Sequence, residues 1–193
     1  MGVEELRPAL LGRIAAVAVV VVLLQAGVVS EVPVLGVTVD LSPLLVAFIG
    51  LLCGSLVGAV AGFGIGLLVD LALVQTLGIT SFVFTLIGYW AGRLRELRDP
   101  QAALVPLAVG ALASFAAATG YSIMEFLLGV EAPVSLELVR QIALGTVVDA
   151  AVALPFFWLV RRCLRGSLPE QQRGRRRRGR AYSTGGLSPL SRT

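Results

Sequence analysis

Residues 41–74 read LSPLLVAFIGLLCGSLVGAVAGFGIGLLVDLALV, 34 residues with a single charge, Asp70. An α-helix rises about 1.5 Å per residue and the hydrocarbon core of a bilayer is about 30 Å thick, so one crossing takes about 20 residues. The stretch is too long for one crossing and short for two. The weak turn chemistry of Cys53-Gly54-Ser55 offers the best place to fold it back, which predicts one span over Leu41–Leu52 and another over Leu56–Val74. The first is short, a length that suits a tilted helix in a locally thinned bilayer.

The apolar region around this stretch runs from Ala9 to Leu164, 156 residues. Six crossings of about 20 residues use about 120 of them and leave loops of about seven. The other four spans fall at about Ala9–Val29, Ile79–Gly92, Gln101–Leu128 and Leu138–Cys163, separated by polar or charged runs. The expectation is an all-α polytopic membrane protein with six transmembrane helices over residues 1–165. Residues 166–193, rich in Arg, Gly, Ser and Pro, read as a disordered cytoplasmic tail.

Composition agrees and narrows the chemistry. Of 193 residues, 56% are hydrophobic and 15% charged, against about 45–50% and about 25% in soluble domains; mean hydropathy is +0.88. All 16 basic residues are Arg, and there is no His. That removes His-based triads, His metal sites, Lys Schiff bases and the P-loop lysine. Cys53 and Cys163 are 110 residues apart, which suggests neither a zinc site nor a disulfide framework. No cofactor is expected, and no nucleophile–base pair is visible. The aspartyl-protease pattern G-x-G-D is missing as well, since Asp70 follows Gly66-Leu67-Leu68-Val69.

Arginine placement sets the orientation. Arg7 and Arg13 precede span 1, Arg93, Arg95 and Arg98 follow span 4, and Arg161, Arg162 and Arg165 follow span 6. The intervening loops carry Glu31, Asp40, Glu131 and Glu137 and no base. Both termini are therefore expected in the cytoplasm, and parity requires three crossings between residues 40 and 93. Span 1 lacks a clean cleavage site after its apolar run, so it reads as a retained helix and not as a signal peptide. Tail residues Arg173, Arg175, Arg176, Arg177, Arg178 and Arg180 suit contact with anionic lipid headgroups. Nothing in the tail reads bases, so no nucleic acid is expected. Tyr89, Trp90, Phe157 and Trp158 sit where an aromatic belt belongs.

Two patterns mark candidate sites. Glycine recurs every fourth residue at Gly50, Gly54, Gly58, Gly62 and Gly66. That spacing builds a smooth helix face along which two backbones approach closely, either within the protein or against a partner's helix. If the chain turns at Gly54, only Gly58, Gly62 and Gly66 share a span, and Gly50 packs the preceding helix against it. The second pattern is intramembrane charge, a default functional candidate. Asp149 lies about 16 Å into span 6, near the midplane. Asp70, Glu125 and Arg140 lie toward the outer ends of their spans, where Arg140 could pair with Asp70 or Glu125. Asp149 could bond Thr146 or another span.

Read in order, Asp40-Leu41, the glycine-rich span ending Gly66-Leu67-Leu68-Val69-Asp70, the pair Leu77-Gly78, and Gly88-Tyr89-Trp90-Ala91-Gly92-Arg93-Leu94 resemble the rod shape-determining protein MreD family. That family shows a D-L pair, a G-x-x-x-D close, an L-G loop and a G-Y-x-x-G-R-L segment in this order. The motifs cover residues 40–94. Cys53 stands where members often carry a basic residue, and the Arg-rich tail is not a family hallmark. The resemblance implies a non-enzymatic subunit of the cell-elongation machinery for peptidoglycan in a bacterial plasma membrane. It would bind MreC and help position RodA, its penicillin-binding transpeptidase partner and MreB filaments. It also implies a fold similar to the substrate-binding components of energy-coupling-factor vitamin transporters. The alternative that follows is a small-molecule transporter component, for which Gln25, Thr119, Tyr121, Glu125 and Asp149 are the available polar side chains.

Overall fold

A φ of +105° at Gly54 breaks the long apolar stretch in two. Only glycine adopts that backbone without strain. The turn is one residue long: the Gly54 N–H donates to the Gly50 carbonyl at 2.8 Å, and the Gly58 N–H donates to the Gly54 carbonyl at 2.9 Å. Helix α2 (Leu41–Cys53) therefore runs directly into α3 (Ser55–Ala72).

The computed structural model describes residues 8–27, 39–74, 76–97, 104–129 and 136–165. These hold α1 (Pro8–Gly27), α2, α3, α4 (Ile79–Leu97), α5 (Leu104–Leu127) and α6 (Leu136–Leu164), with no strand among the described residues. Helices α1, α3, α5 and α6 are long and apolar enough to cross a membrane. Helix α4 runs past the expected stop at Gly92 and carries Arg93 and Arg95 on its last turns, because Arg, Leu and Glu are good helix formers. The chain is a helical, membrane-embedded protein. Its outer surface shows Val20, Leu23, Phe63, Leu71, Leu112 and Val147 more than half exposed, as a lipid-facing wall requires. The tail and its arginines lie outside the described residues.

The short helix is the central one. Every residue from Ser42 to Cys53 is buried, and α2 packs against each of the other five helices. A helix that is apolar all round belongs in such a place. Its 13 residues span about 20 Å, and the helix starts inside the protein, where the Asp40 N–H meets Asp149. Phe48 anchors it against α6, 6.1 Å from Phe156 and 5.1 Å from Phe157 in an edge-on contact. Phe157 is thus a core residue and not part of the aromatic belt. Tyr89, Trp90 and Trp158 are exposed, with Arg93 over the Tyr89 ring and Arg162 over Trp158.

Candidate functional site

Gly58, Gly62 and Gly66 of α3 face α4. A Cβ built on Gly58 would fall against the Gly88 carbonyl and the Gly50 Cα; on Gly62, against the Phe84 carbonyl; on Gly66, against the backbone of Ser81. From the other side, a Cβ on Gly88 would meet the Gly58 carbonyl, and one on Gly92 would meet Ser55. Each of these approaches is closer than the 3.0 Å that real Cβ atoms keep. A Cβ on Gly50 would sit 2.5 Å from the Gly88 oxygen. The seam therefore runs inside the chain, and Gly54 both makes the turn and lies with Ser55 against Gly92 at the seam's end. Gly88 and Gly92 supply the facing half, and their own spacing of four was the available signal for it. Gly64 faces open space.

At the far end of the seam, Asp70 fastens the loop between α3 and α4. Its Oδ2 accepts the Gly78 N–H at 2.8 Å and the Ser81 hydroxyl at 3.5 Å. The aspartate that closes the glycine-rich span thus holds the L-G pair that opens α4. Gly78 adopts φ +99° there, a backbone that again favours glycine. Asp70 is 1% exposed, while Arg140 lies on an exposed face of α6. Gly78 and Ser81 donate hydrogen bonds to Asp70 Oδ2.

The start of α2 is built from three separate elements. Non-helical backbone inside a membrane protein must have its polar groups satisfied by protein, and the first N–H groups of any helix lack intrahelical partners. Gln25 of α1 meets that need with both ends of its amide. Its Nε2 donates to the Val39 carbonyl at 2.9 Å, and its Oε1 accepts the Leu41 N–H at 3.1 Å. Asp149 of α6 accepts the Asp40 N–H at 3.1 Å, and the Asp40 carboxylate caps the helix by accepting the Ser42 N–H at 3.0 Å. Asp149 therefore bonds another element, while the Thr146 hydroxyl donates to the Ile142 carbonyl within α6. Sequence reading placed Asp149 near mid-depth but gave Asp40 and Gln25 no structural part. The signals were a glutamine near the end of an apolar span and an aspartate one residue before Leu-Ser-Pro.

Above this junction lies a cavity of about 610 Å³. Asp40 and Pro43 open α2 into it, Val69 and Leu73 close α3 around it, and Thr80, Val83 and Phe84 come from α4. Helix α5 adds Ser114, Tyr121 and Glu125, and α6 adds Gln141, Thr146 and Asp149. The cavity runs from mid-helix, at Ser114 and Asp149, toward the ends of α3, α4, α5 and α6 away from Arg93, Arg95, Arg161 and Arg162. The cavity brings Glu125 and Asp149 together with Asp40. Asp70 and Arg140 are not among its lining residues. Its size is within the roughly 300–1,000 Å³ of small-molecule sites.

A family model described as rod shape-determining protein MreD matches residues 10–163. No curated protein and no solved structure matches the chain.

Proposed function

The chain belongs to the rod shape-determining protein MreD family and so has a role in rod shape determination; from that premise we propose that it is a non-enzymatic membrane scaffold of the peptidoglycan-elongation complex. In this reading it binds MreC and helps place RodA, its penicillin-binding transpeptidase partner and MreB at the bacterial plasma membrane. It crosses six times with both termini cytoplasmic, and the tail arginines touch anionic lipid. The family match over residues 10–163 carries the proposal. The packing supports it: five helices wrapped around a fully buried sixth form a body able to present fixed outer faces to neighbouring helices. Because α4 occupies the glycine seam, the face offered to MreC is another one. The test is reconstitution of the purified chain with purified MreC in nanodiscs, followed by affinity capture. Retention of MreC is expected; two folded proteins that elute separately overturn the reading.

One observation favours a second reading, a substrate-binding transporter component similar in fold to those of energy-coupling-factor systems. That observation is the polar cavity at the end opposite the arginines. A protein of that kind would retain a vitamin-like ligand through purification or associate with an ATPase module, whereas a scaffold would bring down MreC and synthase subunits.

A further inference from the structure

We infer that the cavity between α2, α3, α4, α5 and α6 is a binding site for a small organic ammonium ion with an apolar body. Asp40, Glu125 and Asp149 line it, and no lining residue is basic. A buried carboxylate is costly unless it is paired or well hydrogen-bonded. The Asp40 carboxylate accepts the Ser42 N–H and the Asp149 carboxylate accepts the Asp40 N–H, both neutral backbone donors. An ammonium group in the cavity would find carboxylate acceptors on its walls and no basic residue among the lining. For the same reason a phosphate or carboxylate ligand is disfavoured, because it would face those three carboxylates without a counter-charge.

A second observation points to an occupant. Thr80 is 7% exposed, lines the cavity, and has a buried hydroxyl with no hydrogen-bond partner. Buried polar atoms are normally satisfied, and this one is positioned to bond a ligand. A bare metal ion fits less well: among the described residues no three of His, Cys, Asp and Glu gather as metal ligands do. The carboxylates are instead spread around a space large enough for a molecule. Val69, Val83 and Phe84 give that molecule an apolar wall, and an aromatic face also suits an ammonium group.

The inference rests on the cavity and not on the scaffold reading, so each fails separately from the other. The probe pair is tryptamine and tryptophol, which share an indole body and differ in carrying an ammonium or a hydroxyl. Titration calorimetry on the full chain in maltoside micelles should show saturable tryptamine binding, with tryptophol weaker by about tenfold or more, as for other hydrogen bonds to a charged group. Glu125→Gln, at a half-buried position, should weaken tryptamine by a similar factor and leave tryptophol unchanged. Asp149→Asn, which keeps an acceptor for the Asp40 N–H, should act in the same direction. A free amine and an amine lipid headgroup share this chemistry, so tryptamine is also titrated in phosphatidylglycerol nanodiscs with and without phosphatidylethanolamine. Unchanged affinity assigns the site to a soluble amine, and competition assigns it to the headgroup. Equal binding of the two probes, no saturable binding, or an unaltered tryptamine affinity in both variants overturns the inference.

Discussion

Asp149 and Gln25 are polar residues on apolar helices, and each serves another segment's backbone. The Asp149 carboxylate accepts the Asp40 N–H, so its acceptor matters to folding whether or not its charge matters to a ligand. Asp149→Asn retains a side-chain oxygen and should cost under about 1 kcal/mol, whereas Asp149→Leu strands a buried donor at about 1–3 kcal/mol. Unfolding in mixed micelles reads both, and equal losses would remove the bond from the account. Gln25 is a sharper case because its amide donates to Val39 and accepts from Leu41 at once. Gln25→Leu should destabilise by about 1 kcal/mol or more, near the upper range for hydrogen bonds in membrane proteins. Gln25→Glu should give no rescue, since it sets a second oxygen against the Val39 carbonyl. A Glu variant as stable as the parent would mean that the donor half is not formed.

Among the elements, the hairpin of α3 and α4 shows what the sequence could and could not tell. A stripe of small residues requires some backbone to come close, and Gly58, Gly62 and Gly66 were legible as that stripe. Which backbone comes close is a tertiary fact, because the stripe specifies distance and not the identity of the neighbour. Gly88 and Gly92 answer it, and a spacing of only two glycines among Tyr, Trp and Arg had read as sequence motif alone. The limits of α2 were legible to within a residue from Gly54 and Asp40. Its central burial was not, since an all-apolar run fits lipid and protein interior equally well. The cavity was not legible either: its carboxylates come from α2, α5 and α6, and periodicity within one helix cannot bring them together. The seam makes a clean prediction. Gly58→Ala and Gly88→Ala each force the two backbones apart and should destabilise by a few kcal/mol, about the scale of overpacking in a core. Gly64→Ala, with nothing within 4 Å, should be neutral or stabilising by up to about 1 kcal/mol through helix propensity. The double variant Gly58→Ala/Gly88→Ala should lose less than the sum, since one separation relieves both clashes. Additive losses would show that the two glycines do not share a contact.

For the whole molecule, the decisive question is how many helices cross. Four are long and apolar enough by themselves. A chain in which only α1, α3, α5 and α6 cross keeps both termini, and residues 98–103, on the same side as in the six-crossing arrangement. The two differ at the α3–α4 connection: four crossings put Thr76 on the cytoplasmic side, and six put it outside. The seam argues for six. Helix α4 lies along α3 from the Ser81–Gly66 contact at one end to the Gly92–Ser55 contact at the other. A helix locked along its length to one that crosses is expected to cross with it, as the proposed six-span arrangement requires. The arginines agree, because Arg93 and Arg95 on α4 and Arg161 and Arg162 on α6 then fall on one side, as the positive-inside rule asks. Thr76 is exposed and takes a reporter without disturbing the seam. With both native cysteines replaced by Ala, Thr76→Cys should react with a membrane-impermeant maleimide in right-side-out vesicles. A cysteine introduced at residue 100 should react only after permeabilisation. Protection of Thr76→Cys until the membrane is opened would leave α4 on the cytoplasmic surface and break the link between seam and crossing. It would also move the cavity away from the outer face to which the six-crossing proposal assigns it, since Thr80 and Phe84 of α4 form one of its walls.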